Sequence, residues 1–411
     1  MTEQYDLIII GGGLVGASLC LALNHLPLRI AMIETKAIQS SPPALADARS
    51  IALSYGTFKI LSNLGLQQDL LSNSTPIVKI HVSDQGHFGS TLFSAPQLQV
   101  PAFGYVIAFD AINQILIKQL LACKNVTLFS PALISETIKT QDNQWQINIK
   151  QDEKIISIKS KLIIAADGNN SSIRQQQQIH IIEKDYPHSA ILTKIVLKHP
   201  HSNTAYERFT RDGALALLPL NEMNCSIVWS LPHTKADQLM SVSAENFLHN
   251  LQLAFGQKLG KFTEVGTRHK LPLKMIVAKQ QIKSGILLLG NAAQSLHPIA
   301  AQGFNLALKH VAYLADVISK AYHDNLNLDD AYLIEHYHNK IKKDRQQIIH
   351  FTHYLTKIFG NNFYPLKSLR DSGLLLLDLL PFTKKIFAQK CMGISGKLPR
   401  ILRDLPLAIT E

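Results

Sequence analysis

A strand–glycine–helix–strand unit at the start of the chain constrains the fold more than any other feature. Tyr5–Ile10 is an apolar run that predicts a buried strand, and Gly11–Gly16 follows it directly. Ala17–Asn24 continues as an apolar helix, and Leu28–Glu34 predicts a second strand. This order is typical of a βαβ unit that binds a dinucleotide. The sequence therefore predicts an α/β fold with a Rossmann-like domain.

Three glycines in this unit have the spacing GxGxxG. Gly11 would make the tight turn, Gly13 would let a pyrophosphate approach the helix N-terminus, and Gly16 would allow close helix–strand packing. Glu34 ends the second strand and would bind a ribose hydroxyl, which favours an adenosine ribose without a 2′-phosphate. GxGxxG alone is a weak signal, but here the strands, the helix and the acid are all in their places.

A second buried strand is predicted for 161–166, and it ends on Asp167 and Gly168. The sequence then continues through Ser171 and Ser172 to Arg174. An acid at the carboxyl end of a strand lies where α/β folds place their ligand contacts. An ordinary Asp-Gly turn is the alternative interpretation.

A third strand of the same kind is predicted for Ile286–Leu289, and it ends on Gly290 and Asn291. Pro298 and Gly303 then bracket a turn before a helix that begins at about Phe304. Small residues between a strand and a helix let backbone approach a ligand, and a helix N-terminus presents free N–H groups. An ordinary strand–loop–helix connection would look the same.

The remaining sequence suggests how the chain is divided. With 411 residues it is too long for one ordinary core. We predict a discontinuous cofactor domain over 1–75, 101–180 and 268–330. Alternating β residues over 76–100 and strand-rich sequence over 181–267 predict a β-sheet substrate domain, and 331–411 predicts a C-terminal helical region. Trp229 would either line a pocket or, by the favoured interpretation, fill the core.

Composition favours a cytoplasmic protein. No apolar run approaches the roughly 20 residues that span a bilayer, and the N-terminus does not resemble a signal peptide. Four dispersed cysteines argue against disulfides and a zinc site. Histidines cluster at 336–353, but no carboxylate or cysteine completes a metal site, so we predict none. The net charge is +11, yet no nucleic-acid motif accompanies it.

The basic charge is concentrated at the end of the chain, where 331–411 carries thirteen Lys or Arg against six Asp or Glu. A stretch from Leu366 to Leu380 combines leucines with basic residues. Such a segment would lie on anionic lipid as a peripheral contact, or would pack on the cofactor domain or a second subunit.

The three motifs together, GxGxxG, ADGxxSxxR and GNAAQSLHPIAAQGFN, resemble the FAD-dependent aromatic hydroxylases of the p-hydroxybenzoate hydroxylase type. The match spans most of the chain. It looks closest to the ubiquinone-biosynthesis branch, and within it to the 2-polyprenyl-6-methoxyphenol hydroxylases, which the stretches DARSIAL and HVSDQGHFGST also resemble.

The resemblance implies bound FAD and a transient NAD(P)H, because only one GxGxxG unit is present. The implied reaction reduces the flavin, adds O2 to give a C4a-hydroperoxyflavin and hydroxylates an electron-rich polyprenyl phenol. Arg49, taken alone, could be a solvated charge; the resemblance places it at the flavin edge or phosphates. The implied cofactor-binding residues are Gly11, Gly13, Gly16, Glu34, Arg49, Asp167, Gly168, Gly290, Asn291, Pro298, Gln302, Gly303 and Asn305.

Pro298 and Gly303 would lie near the reactive ring, but the sequence selects no catalytic base. Three positions depart from the usual pattern. Asn291 stands where an Asp is usual, Ala301 where a Gly is usual and His310 where an Asp is frequent. Two alternatives stay open: a sibling hydroxylase of another ring position, and a non-catalytic flavin-fold subunit of a quinone-synthesis complex. The oligomeric state is also open.

Overall fold

The computed structural model describes residues 2–38, 49–86, 89–296, 302–328, 330–359 and 380–407. Its strands, in chain order, are β1 (Glu3–Gln4), β2 (Leu7–Ile10), β3 (Ile30–Ile33), β4 (Ser50–Ser54), β5 (Ser74–Ile77), β6 (Lys79–Asp84), β7 (Ser90–Ser94), β8 (Gly104–Ala108), β9 (Val126–Phe129), β10 (Leu133–Lys139), β11 (Trp145–Gln151), β12 (Lys154–Ser160), β13 (Leu162–Ala165), β14 (Ile181–Leu197), β15 (Thr204–Thr210), β16 (Gly213–Pro219), β17 (Asn224–Pro232), β18 (Phe262–Val265), β19 (His269–Ala278), β20 (Ile282–Lys283), β21 (Ile286–Leu288) and β22 (Gln294–Ser295).

The helices of the described residues are α1 (Leu14–Leu23), α2 (Tyr55–Leu61), α3 (Gln67–Asn73), α4 (Phe109–Leu121), α5 (Ser172–Gln176), α6 (His233–Ser241), α7 (Ala244–Phe255), α8 (Gln302–His323), α9 (Ala331–Phe359) and α10 (Pro381–Cys391). Single helical turns lie at Ser62–Leu66, Pro96–Leu98, Gly290–Ala292 and Arg400–Arg403.

A mostly parallel sheet forms the centre of the molecule, with the strand order β20-β21-β13-β2-β3-β9. Its inner strands are apolar along their whole length because both of their faces are covered. Leu7 and Ile9 point into a core shared with α1, α4 and α8. Ile8 and Ile10 point the other way, into a core shared with the four-stranded sheet β1-β12-β11-β10. The predicted βαβ unit is confirmed.

A second large sheet has the order β22-β19-β14-β17-β16-β15-β6-β7, with β18 paired to β14. It joins the hairpin predicted within 76–100 to the strand-rich region, because β6 pairs with β15. One face packs on α6 and α7, and Trp229 lies in this core at 3% exposure. The other face is open to a cavity. The strands of a small sheet, β4-β8-β5, alternate in sequence with strands of the two large sheets.

The structure differs from the sequence interpretation in local detail. Two helices, α6 and α7, interrupt the strand-rich region, and β10 was not predicted. The large sheet also continues beyond residue 267, because β19 pairs with β14. The predicted boundary between the substrate and cofactor domains, at 267/268, lies where the predicted strands end. Alternation of apolar and polar residues can predict a strand, but it cannot show which sheet that strand joins. The domain division itself stays a prediction.

Within the described residues, none of the helices is long and apolar enough to cross a bilayer. The leucine-rich basic stretch falls outside the described residues apart from its last residue, Leu380. All four cysteines lie in described parts of the chain and are free thiols.

Candidate active site

The three sequence motifs meet at one edge of the central sheet. Their strands β2, β13 and β21 are adjacent and parallel, with Ile10 in register with Ala165 and Ala165 in register with Leu288. Because each motif directly follows its strand, all three turns lie at the carboxyl ends of neighbouring strands. The proximity that the sequence interpretation required is therefore present.

Steric constraints explain two of the glycines. Gly11 has φ of +105°, and a Cβ there would lie 2.5 Å from the Ala166 carbonyl oxygen of the second motif. A Cβ on Gly16 would lie 2.0 Å from the Gly11 carbonyl oxygen. Both distances are far below any real carbon–oxygen contact, so these glycines let the turn, the helix and the neighbouring strand pack together. Gly13 is different, because nothing lies within 4 Å of its Cβ position.

Glu34 lies beside this turn and organises its backbone. Its Oε2 accepts a hydrogen bond from Gly12 N at 2.7 Å, and its Oε1 accepts from Lys36 N at 3.0 Å. Oε1 also accepts from the Thr35 hydroxyl at 3.1 Å, so both of its lone pairs are used. Oε2 accepts one bond and keeps acceptor capacity for a ribose hydroxyl. Glu34 is not among the described residues that line the large cavity discussed below.

Arg174 joins the second motif to the third. Its side chain is 4% exposed, and it donates from Nη1 to the Ala292 carbonyl at 2.9 Å and from Nη2 to the Asn169 carbonyl at 2.6 Å. Ser171 caps α5 by accepting from Arg174 N at 3.1 Å. The serine and the arginine of this motif therefore fix the turn rather than face a ligand.

Asp167 has one used and one unused carboxylate oxygen. Oδ2 lies 3.4 Å from Ile173 N and 3.3 Å from the Ser172 hydroxyl. Oδ1 is buried and has no hydrogen-bond partner among the described residues. A buried acceptor without a donor is costly. Asp167 is not among the described residues that line the cavity, although its neighbours Ala166 and Gly168 are. Gly168 follows with φ of +84° and open space at its Cβ position.

The third motif supplies the opposite wall. Gly290 has φ of +61°, and a Cβ there would lie 3.1 Å from a Val15 methyl group of α1. Asn291 is exposed and lines the cavity, as do Gln302 and Gly303 at the start of α8. The Cβ position of Gly303 is unobstructed. Backbone can thus approach a ligand at both helix N-termini, where free N–H groups favour negative charge.

Asn305 reaches the same cavity, but its amide is used structurally. Oδ1 accepts from Ser54 N at 2.9 Å, and Nδ2 donates to the Ala52 carbonyl at 3.0 Å. The side chain therefore continues the hydrogen-bond ladder of β4, as a neighbouring strand would. This contact holds β4 against α8 and so shapes the cavity between them.

These elements enclose a cavity of about 820 Å³, toward the upper end of the roughly 300–1,000 Å³ typical of small-molecule sites. One end is formed by Gly13, Gly168, Asn291 and Gly303. Arg49 lines the cavity with its guanidinium 4.3 Å from the centre of the Phe109 ring. This stacking holds the cation at the cavity wall. Phe109 was missed in the sequence because no motif marks it.

The other end of the cavity is the open face of the large sheet and is predominantly apolar. Its walls come from β6, β7, β15, β16 and β17, and α10 closes one side. The apolar residues of this end are Ile77, Ile80, Val82, Phe93, Phe103, Leu192, Ala205, Phe209, Ala214, Ala216, Leu218, Val228, Leu296, Phe387 and Met392. Among the described lining residues, Glu207 is the one carboxylate. Glu207 lies in the strand-rich region predicted over 181–267, where no motif marks it.

Three residues singled out in the sequence do not line the cavity in the described part of the chain. Pro298 and Ala301 lie outside the described residues. His310 is fully buried on α8, and neither ring nitrogen has a partner among the described residues. Burial, together with Arg345 and Lys309, lowers the pKa of His310 to about 3, so the ring is neutral. The described residues contain no group of three or more His, Cys, Asp or Glu that could hold a metal.

The residues present fit a flavin dinucleotide. A diphosphate needs donors and close backbone, which the N-termini of α1 and α8 and the open positions at Gly13 and Gly303 provide. A ribityl or ribose hydroxyl needs an acceptor, and Asp167 Oδ1 is an acceptor without a partner among the described residues. The apolar end has room for a ring system beyond the phosphates.

Comparison with known proteins supports this fit. Residues 4–352 match the model of the FAD binding domain family. The chain is 31% identical over 97% of its length to the uncharacterized protein slr1300 of Synechocystis, covering 95% of that protein. It is 27% identical over 98% of its length to the ubiquinone hydroxylase UbiL of Rhodospirillum rubrum, covering 93% of it. Among solved structures, p-nitrophenol 4-monooxygenase PnpA of Pseudomonas putida superposes with a TM-score of 0.78 at 14% identity, over 96% of this chain and all of that one.

The predicted fold class is confirmed, as are FAD as the cofactor and the assignment to the FAD-dependent monooxygenases. The individual cofactor contacts stay predictions. The family match covers most of the chain and includes all three glycine turns, so the chain belongs to the FAD binding domain family.

Proposed function

We propose that the protein hydroxylates the aromatic ring of a polyprenyl phenol in ubiquinone biosynthesis, with 2-polyprenyl-6-methoxyphenol as the substrate. The observation that carries this proposal is the cavity itself. A polar end lined by glycine turns is continuous with an apolar end walled by aliphatic and aromatic side chains. A relative named ubiquinone hydroxylase, similar over nearly the whole chain, supports the same substrate class.

FAD, when bound, supplies electron transfer from NAD(P)H and the activation of O2. The residues of this chain bind and orient the dinucleotide and the substrate, and they exclude water. Asp167 and the glycine turns hold the dinucleotide, and Arg49 offsets its negative charge. The apolar walls surround the substrate ring and its prenyl chain, and they keep water from the reacting centre.

The test is direct. Purified protein should be yellow, and NAD(P)H should bleach it faster when a 2-prenyl-6-methoxyphenol is present. Product analysis would identify the ring carbon that gains oxygen, and the quinone intermediates that accumulate in a deletion strain would give the same answer in cells. Hydroxylation at another ring position would favour the sibling enzyme, and a colourless protein that takes up no FAD would favour the non-catalytic subunit.

A peripheral membrane contact through α10 belongs to the same proposal. The inner side of α10 lines the cavity, while its outer side exposes 74% of Phe382 and 49% of Ile386 next to Lys384 and Lys385. Exposed apolar side chains flanked by lysines are typical of a helix that lies on anionic lipid. A prenylated substrate leaving the bilayer would then meet the cavity wall directly.

Co-sedimentation with vesicles would test this contact. The double change Phe382→Ser and Ile386→Ser should reduce binding to anionic vesicles. Ile155→Ser is the matched control, since Ile155 is 71% exposed on β12. Equal binding by both variants would contradict the contact through α10.

A further inference from the structure

Strand pairing fixes the direction in which Glu207 points. On β15 its neighbours in register are Val82 of β6 and Ala216 of β16, and both line the cavity. The next residue, Arg208, points to the opposite face, where Nε donates to the Ala254 carbonyl of α7 at 3.0 Å. The preceding Tyr206 ring packs edge-on against Phe255 of α7. Because side chains alternate along a strand, Glu207 faces the cavity.

The surroundings of Glu207 give the carboxyl no protein partner. It makes no hydrogen bond or ion pair with any residue that the structure describes. Burial alone raises the pKa of Glu207 to about 7. A carboxyl in an apolar wall is destabilising unless something binds it, and a ligand in the cavity is the remaining candidate.

The other polar groups of the apolar end cannot take a proton at neutral pH. Thr91, Ser226 and Ser230 carry hydroxyls that are not basic there, and burial raises the pKa of the Cys391 thiol to about 12, so this thiol keeps its proton. His81 is not among the described lining residues, and its ring packs at a tilt against Tyr206, whose ring contacts Phe255 of α7. Glu207 is therefore the one group among the described lining residues that can act as a base.

We propose that Glu207 is the catalytic base that accepts the proton of the substrate's phenol hydroxyl, an inference that rests on the proposed function. The phenol O–H bond breaks, an O–H bond forms on the Glu207 carboxylate, and the electron pair stays on the phenolate oxygen. The step consumes no oxidant or reductant, and the proton returns to the hydroxylated product. A phenolate ring is richer in electrons than a phenol ring and is therefore more readily hydroxylated. A base with a pKa near the working pH suits this transfer.

The experiment compares FAD-loaded wild-type protein with Glu207→Gln, Glu207→Asp and the control Glu264→Gln, which removes an exposed carboxyl from β18. A 2-prenyl-6-methoxyphenol with a short chain is the probe. Hydroxylated product, H2O2 and NAD(P)H consumption are measured across pH. Glu207→Gln should keep its FAD and its rate of flavin reduction, but lose product formation by about 10²-fold and release H2O2 instead.

Two further readouts separate catalysis from structure. The wild-type rate should fall on the acid side as Glu207 becomes protonated, and Glu207→Gln should lack that limb. Its activity should recover as the pH approaches the pKa of the phenol itself. Glu207→Asp should retain part of the activity, and Glu264→Gln should match the wild type.

Wild-type product yield and pH profile in Glu207→Gln would overturn the assignment while leaving the proposed function intact. A wild-type protein that binds FAD but hydroxylates no phenol would overturn both. FAD content and thermal unfolding of each variant show whether it has folded. If Glu207→Gln loses FAD, the carboxyl has a structural role and the assignment is wrong.

Discussion

Arg174 donates a hydrogen bond from Nη1 to the carbonyl oxygen of Ala292, 2.9 Å away, and so fastens the second glycine turn to the third. The contact joins segments that are 118 residues apart. It lies beneath the cavity lining rather than in it, because Arg174 is 4% exposed and is not a lining residue. The relative position of Gly168 and Asn291 therefore depends on a side chain that no ligand touches.

Arg174→Ala should destabilise the protein without FAD by about 2 kcal/mol, because the buried Ala292 carbonyl loses its donor at about 1–3 kcal/mol and the part-buried Asn169 carbonyl loses one at a smaller cost. It should also weaken FAD binding, since two turns lose their connection. Urea unfolding and FAD titration measure the two effects. Arg211→Ala is the matched control, as Arg211 is exposed in the turn between β15 and β16. Equal stability of both variants would show that the contact contributes nothing.

Gly13→Ala and Gly16→Ala should separate ligand binding from folding. A Cβ at Gly16 meets the Gly11 carbonyl at 2.0 Å, so this change should destabilise the ligand-free protein by about 3 kcal/mol. A Cβ at Gly13 meets nothing, so ligand-free stability should hold while the Kd for FAD rises about tenfold, which is 1.4 kcal/mol. Unchanged FAD affinity in Gly13→Ala would contradict the predicted diphosphate position.

Glu207 should make the ligand-free protein less stable as the pH rises. Its folded pKa of about 7 lies above the ordinary value of 4.5. The unfolded state therefore loses its proton first, and stability falls between these values. From pH 5 to pH 8 the free energy of unfolding of the wild type should fall, relative to that of Glu207→Gln, by on the order of 2 kcal/mol, after allowing for water in the cavity. Urea unfolding at both pH values, with Glu264→Gln as control, measures the difference; no change would place Glu207 in full contact with solvent.

His310 should have the opposite pH dependence. Its folded pKa of about 3 lies below the ordinary 6.5, so acid protonates the unfolded chain first and stability falls as the pH drops. Between pH 7 and pH 5 the free energy of unfolding of the wild type should fall by about 2 kcal/mol, and that of His310→Leu should not show this fall. Chemical denaturation across this range tests it, with exposed His249→Leu on α7 as control. Parallel pH profiles of wild type and His310→Leu would contradict it.

Local sequence predicted the central unit well. The apolar runs before Gly11, Asp167 and Gly290 became adjacent strands, because a strand buried on both faces must be apolar throughout. The large sheet was harder to interpret. Helices α6 and α7 were missed, although each carries an apolar stripe, because that stripe is buried only once the sheet exists.

The sequence by itself determined the dinucleotide turn, since Gly11 has a positive φ and a Cβ on Gly16 would meet the Gly11 carbonyl, and both restrictions are local. Tertiary structure decided the rest of the site. Asn305 hydrogen-bonds to β4 at the cavity wall, which depends on contacts about 250 residues apart in sequence. Glu207 faces the cavity only because β15 pairs with β6 and β16 in one register, and a slip of one residue would turn it to the other face.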